Sequence, residues 1–162
     1  MPLVEKRPVE PVAPSLRPSI QSLEQLMNTV ARHIDRSSTG AEQRLKRKPW
    51  TRSQALGHLI DWAEAHQRWL ARALTEPRLD APMYPQDEWV VAQNYGAYPW
   101  PALISLWELL NRLLIHVMTQ IPEDKLNLSC RIGVRDPIPP SELISRYVEH
   151  CQDIAGQIIA RL

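Results

Sequence analysis

A chain of 162 residues is about one domain long and can bury a core without disulfide or metal staples. Its 19 basic and 18 acidic residues leave a formal net charge of +1, which gives no overall electrostatic footprint for nucleic acid or an anionic membrane. Only Cys130 and Cys151 occur, without CxxC spacing, no stretch approaches the roughly 20 apolar residues of a bilayer span, and the N-terminus lacks a signal-peptide pattern, so the expectation is a reduced, cytoplasmic protein.

Residues 1–18 hold Pro2, Pro8, Pro11, Pro14 and Pro18 with few large apolar side chains, a composition that predicts an extended arm outside the core. The remainder, 19–162, reads as one helical domain. Ile20, Leu23, Leu26, Met27, Val30 and Ile34 recur at helical spacing and predict a first amphipathic helix over 19–36, stopped by Ser37-Ser38-Thr39-Gly40. The basic run Arg44-Leu45-Lys46-Arg47-Lys48 is either an anion site near a helix start or a solvated connector, and the near-zero total charge favours the connector.

The stretch 50–74 organises the rest. Thr51 followed by Gln54 forms a capping box, so a helix begins there. Ala55, Leu59, Trp62, His66, Trp69 and Ala73 then form one apolar stripe, which Pro77 brings to an end. His58 lies at the edge of that stripe, with Asp61 one turn on and projecting to the same side. His66, two turns below His58, reads as a core or supporting residue.

Residues 77–99 contain four prolines, Gly96 and the cluster Tyr84-Pro85-Gln86-Asp87-Glu88-Trp89; a connection that long is functional or is a crossover. A third helix over 101–120 is apolar on more than one stripe, as in a helix that is central or packed against a second subunit. After another long connection over 122–140, in which 129–134 could be extended, Pro139-Pro140-Ser141-Glu142 opens a fourth helix. Its inner seam is Leu143, Tyr147, His150, Ile154 and Ile158, and His150 with Asp153 repeats the His-x-x-Asp pairing. Four helices joined in this way predict an all-α, four-helix bundle with long crossover connections. Cys151 cannot act with its neighbour His150, because consecutive helical residues point about 100° apart. Glu64, Glu108 and Glu149 are scattered, and nothing pairs them for acid-base work.

Pro49-Trp50-Thr51 leading to His58-Leu59-Ile60-Asp61, then Arg68, Leu74-Thr75-Glu76, Asp87-Glu88-Trp89, and finally Tyr147-Val148-Glu149-His150 with Gln157-Ile158 together resemble the DinB-like four-helix proteins. Within them the likeness is to the YfiT-like group of metal-dependent hydrolases and bacillithiol S-transferases, and it covers about 50–158. The resemblance implies an up-down-down-up bundle, often a homodimer, with a divalent metal, zinc or nickel, at one end. It implies metal ligands at His58 and His150 and a third at a position that Ile154 occupies here.

A catalytic centre of that kind needs about three protein ligands and one open position. Asp153 is the candidate third ligand; Asp61 is an alternative ligand or orients a histidine. Tyr84, Asp87, Glu88 and Trp89 are expected at the mouth. The implied activity is metal-assisted transfer of a thiol, or of water, to an electrophilic small molecule. The rival is a metal-free small-molecule-binding or dimeric scaffold protein of the same fold. Nucleic-acid binding rests on 44–48 alone and is the weakest alternative.

Overall fold

The computed structural model describes residues 11–160. Four long helices carry the architecture: α1 (Arg17–His33), α3 (Arg52–Thr75), α5 (Trp100–Thr119) and α6 (Pro140–Ile159), with short helices α2 (Ser38–Glu42) and α4 (Gln86–Ala92) in the connections. The expected helix boundaries agree to within one to three residues. The first ten residues of the expected arm lie outside the described ones. The rest of the arm departs from expectation: Ala13 and Leu16 are buried, and Pro14–Leu16 forms a 3-10 turn running into α1, with Pro18 tolerated in the first helical turn.

Packing sets the order of the bundle. α3 contacts α5 and α6, and α1 contacts α6 and α5, so the first and second long helices lie across a diagonal, as do the third and fourth. Such an arrangement requires crossover connections, and it has the four-helix bundle topology expected from the sequence. The core is filled by Leu16, Leu23, Leu56, Leu59, Trp107, Leu114 and Ile144, and a buried hydrogen bond from the Tyr147 hydroxyl to Asn111 Oδ1 at 2.6 Å ties α6 to α5.

Contrary to the sequence reading, α5 has the length and apolar composition to cross a membrane. Here it lies on α3 and sends Leu103, Trp107, Leu114 and Met118 inward, as the central helix of a bundle does.

The two later connections meet in a small parallel ladder, with β1 (Leu79–Ala81) beside β2 (Cys130–Ile132). Leu79, Ala81, Cys130 and Ile132 point inward and are buried, which holds both connections against the bundle. Gly133 follows at φ +66°, the left-handed conformation that favours glycine, and turns the chain back so that Ile138 bridges to Cys130.

Candidate metal centre

α3 begins with the expected capping box: the Thr51 hydroxyl accepts from Gln54 N at 3.3 Å, and the Gln54 side chain accepts from Thr51 N at 2.9 Å. The next residue, Arg52, is buried and donates to the Ala160 carbonyl at 2.6 Å. That bond holds the end of α6 against the start of α3, so the two helices run antiparallel. Antiparallel register brings together two rings 92 residues apart, with His58 Nε2 2.7 Å from His150 Nε2.

His58 is 1 % exposed and His150 is half-buried. Burial, then the charges of His150 and Lys48, push the His58 imidazole down to about 3. Burial, then Lys48, lowers His150 as well, against a smaller opposing effect of Asp153. Both rings are therefore neutral at pH 7, and at 2.7 Å one Nε2–H donates to the other nitrogen. Trp50 lies against His58 with ring centres 4.8 Å apart, and Trp62 against His150 at 4.9 Å. The pair is thus screened from water on two sides. His150 and Trp62 also form part of the wall of a cleft of about 380 Å³.

The remaining expected site residues are arranged differently. Asp153 is not gathered with the histidines: its side chain is 49 % exposed and forms an ion pair with Arg47 of the basic run. Apart from Leu45, which is buried, the run is an exposed connector with one ion-pair partner on α6. Ile154, at the position where the resemblance implies a ligand, is fully buried. Asp61 is buried but touches neither histidine through a hydrogen bond. Its Oδ1 accepts from Gln93 Nε2 at 2.7 Å and from the Tyr95 hydroxyl at 2.6 Å, which ties the 93–95 segment to α3. Burial raises the pKa of Asp61, against the two hydrogen bonds.

His66 is buried, and its Nδ1–H donates to the Trp62 carbonyl at 2.8 Å. Tyr84 and Trp89 lie tilted against each other with ring centres 4.7 Å apart and line a neighbouring cleft of about 400 Å³, which shares Trp69 and Met83 with the first. Asp87 and Glu88 are exposed in the first turn of α4 and line neither cleft. The first cleft is lined instead by Met83, Gln86, Arg135, Asp136, Arg146 and Glu149, beside the residues already named. Sequence reasoning missed Met83, Arg135, Asp136 and Arg146, and left Glu149 among the scattered carboxylates. Arg135 and Asp136 follow a turn whose only local signal is Gly133. Cys151 is fully buried, which pushes its thiol up to about 12 and excludes it as a nucleophile.

A divalent metal implied by the resemblance can be tested against these donors. Two neutral imidazoles suit zinc or nickel once the Nε2 proton shared between them moves to an Nδ1, since each coordinating nitrogen must be free of its proton. Among the described residues, no cluster of three or more His, Cys, Asp or Glu side chains is placed to hold a metal. Nitrogens sharing a tetrahedral zinc at about 2.0–2.1 Å lie about 3.3 Å apart, wider than the hydrogen-bonded pair here. His58 Nδ1 is buried without the acceptor that usually orients a ligating histidine. What the donor set offers a metal is therefore two protein nitrogens, drawn closer together than a shared zinc would hold them.

The fold is a four-helix bundle with crossover connections, in which α3 and α6 each contribute one histidine to a pair. No family model matches the chain, and no curated protein matches it in sequence. Solved structures do. YfiT from Bacillus subtilis, described as a probable metal-dependent hydrolase with an unusual four-helix bundle topology, superimposes with a TM-score of 0.76 at 18 % identity, over 97 % of this chain and 91 % of that one. The mycothiol-dependent maleylpyruvate isomerase superimposes with a TM-score of 0.75 at 17 % identity, over 90 % of this chain and 61 % of the isomerase. A histidine-to-alanine mutant of that isomerase gives 0.75 at 18 % identity. At these identities the likeness establishes the fold.

Proposed function

We propose that this chain is an enzyme acting on a small electrophilic molecule, by transfer of a thiol or by hydrolysis, with His58 and His150 holding a divalent zinc or nickel. The observation that carries the reading is the convergence of two neutral imidazoles beside a cleft large enough for a small molecule. A divalent cation held there lowers the pKa of a bound thiol or water. The chain's own residues do the rest: Trp50 and Trp62 keep water from the imidazoles, and the apolar cleft floor around Trp69, Cys130 and Leu143 receives the electrophile. The description of YfiT as a probable metal-dependent hydrolase supports the metal, and the thiol dependence of the isomerase supports a thiol nucleophile.

Elemental analysis and calorimetric titration with Zn²⁺ and Ni²⁺ test this reading on untagged protein. We expect about one metal per chain, lost in His58→Ala and in His150→Ala. A parent that takes up neither metal overturns it. That result would favour a metal-free binding protein of the same fold, the reading to which buried Ile154 and the direct imidazole hydrogen bond point.

The same reading includes a homodimer closed by α5. Leu106, Leu109 and Leu113, exposed by 40, 63 and 45 %, form one apolar stripe at helical spacing. Beside it Arg112 donates to Glu108 at 2.7 Å. About a two-fold axis near Leu110, the α5 of a second copy would set each Glu108 against the other copy's Arg112, a self-complementary contact. Sedimentation equilibrium should find a dimer, and Leu109→Glu should give a folded monomer; a parent that sediments as a monomer at micromolar concentration rejects this arrangement.

A further inference from the structure

Trp89 is 37 % exposed on α4, a large apolar ring left at the surface by a helix only seven residues long. A single exposed apolar side chain needs no explanation, but this one does not stand alone. Its ring lies against that of Tyr84, and both line the second cleft together with Trp69 of α3. Ala65 and Ala81 line the same cleft with a methyl group each, and Met83 completes an apolar wall. A volume of about 400 Å³ with such a lining lies within the range of small-molecule sites.

The charges at this cleft already answer one another. Of the described residues that line it, Glu64, Arg68 and Arg72 are charged. Arg68 donates to Glu64 one turn earlier on α3. Arg72 donates to the two carboxylate oxygens of Glu76 at 2.7 and 3.0 Å and to the Asp80 carbonyl at 3.1 Å. A charged ligand would lose water here and find no unpaired partner. The first cleft differs: Arg135, Asp136 and Glu149 line it and form no ion pair among the described residues.

We propose that the second cleft is a binding site for a neutral, planar aromatic group, lying against Trp89 and walled by Tyr84 and Trp69. A flat ring is preferred to a saturated one because stacked and edge-to-face contacts with aromatic side chains add to the area that any apolar group buries. The two clefts meet at Trp69 and Met83, which line both. The Tyr84 ring centre is 6.5 Å from that of Trp62, which is 4.9 Å from His150. A ligand with its aromatic end in the second cleft therefore has its other end at the first. The site stands on its own geometry; that its ligand is the electrophile of the proposed reaction, with the ring as the unreactive end, rests on that reading.

The test is titration of metal-free protein with N-phenyl-1-naphthylamine, a neutral aromatic probe that fluoresces in apolar surroundings, followed also by nitrogen-15 NMR of the indole N–H groups. We expect saturable binding with shifts at Trp69 and Trp89, and none at Trp100 and Trp107, which line neither cleft. Trp89→Ala should weaken the probe about tenfold, and Trp89→Phe should restore most of that loss. Benzyl alcohol should displace the probe at lower concentration than cyclohexylmethanol, benzoate or benzylammonium. No saturable binding in the parent, shifts confined to Trp62 of the first cleft, or stronger displacement by any of the other three compounds overturns the proposal. So does equal affinity in folded Trp89→Ala, and the parent titration decides if that variant fails to fold. The proposed metal is tested separately. Metal uptake without probe binding removes this site and leaves the proposed reaction; probe binding without metal uptake does the reverse.

Discussion

Ile154 stands four residues after His150 on the same face of α6, fully buried, where a third imidazole would complete the ligand set that the resemblance implies. Asp153, the nearest carboxylate, does not replace it. A residue three positions along a helix points about 60° to one side of the first, and that rotation carries Asp153 to the surface and to Arg47. Ile154→His should therefore raise zinc affinity at least about tenfold, roughly 1.4 kcal/mol, by calorimetric titration. The same change should lower the stability of the metal-free protein by about 1–3 kcal/mol in urea unfolding, because an isoleucine in close contact gives way to a buried polar ring. Unchanged zinc affinity would mean that a ring at 154 does not reach the His58–His150 pair.

At the scale of elements, α3 carries the site and is braced from two sides, by its capping box and by the segment after α4. Gly57 shows how close the second brace comes: a Cβ there would lie 2.0 Å from Cδ2 and 2.2 Å from Cγ of Tyr95. Gly57→Ala forces the ring away and loosens its hydroxyl from Asp61. Overpacking costs about 1–3 kcal/mol and the better helix former returns up to about 1, so a net loss of about 1–2 kcal/mol is expected in urea unfolding. A stabilised variant would show that Tyr95 is not packed as described. The four long helices were legible because each repeats apolar residues over four or more turns, whereas the meeting of His58 with His150 was implied by the resemblance to the DinB-like proteins and not by the spacing within either helix. The ladder of β1 and β2 pairs only three residues a side, too short for alternation to reveal its partner. α4 is hidden in a polar, proline-bounded cluster, and the buried positions of Ala13 and Leu16 depend on tertiary contacts inside a proline-rich stretch.

For the whole molecule, folding takes a neutral histidine out of water, and this makes stability depend on pH. His66 is 1 % exposed and burial pushes it down to about 3, with the charge of His150 adding to the fall and the bond to the Trp62 carbonyl opposing it. In the unfolded chain the same imidazole titrates near 6.5. Between those values the unfolded state binds a proton that the folded state refuses, so the free energy of unfolding rises with pH and levels off above about 6.5. His58 and His150 are shifted the same way and add to the slope, whereas Asp61, raised by burial, works against it at the acid end. Each fully separated histidine contributes up to about 1.4 kcal/mol per pH unit, so metal-free protein should lose about 2–4 kcal/mol between pH 7 and pH 5 in urea unfolding. His66→Phe removes one of these groups and should flatten the dependence by about 1–2 kcal/mol over the same interval. A midpoint that stays level from pH 7 to pH 5 would mean that the three imidazoles are not held neutral by burial, and the donor–acceptor pairing at His58, His150 and His66 would fall with it.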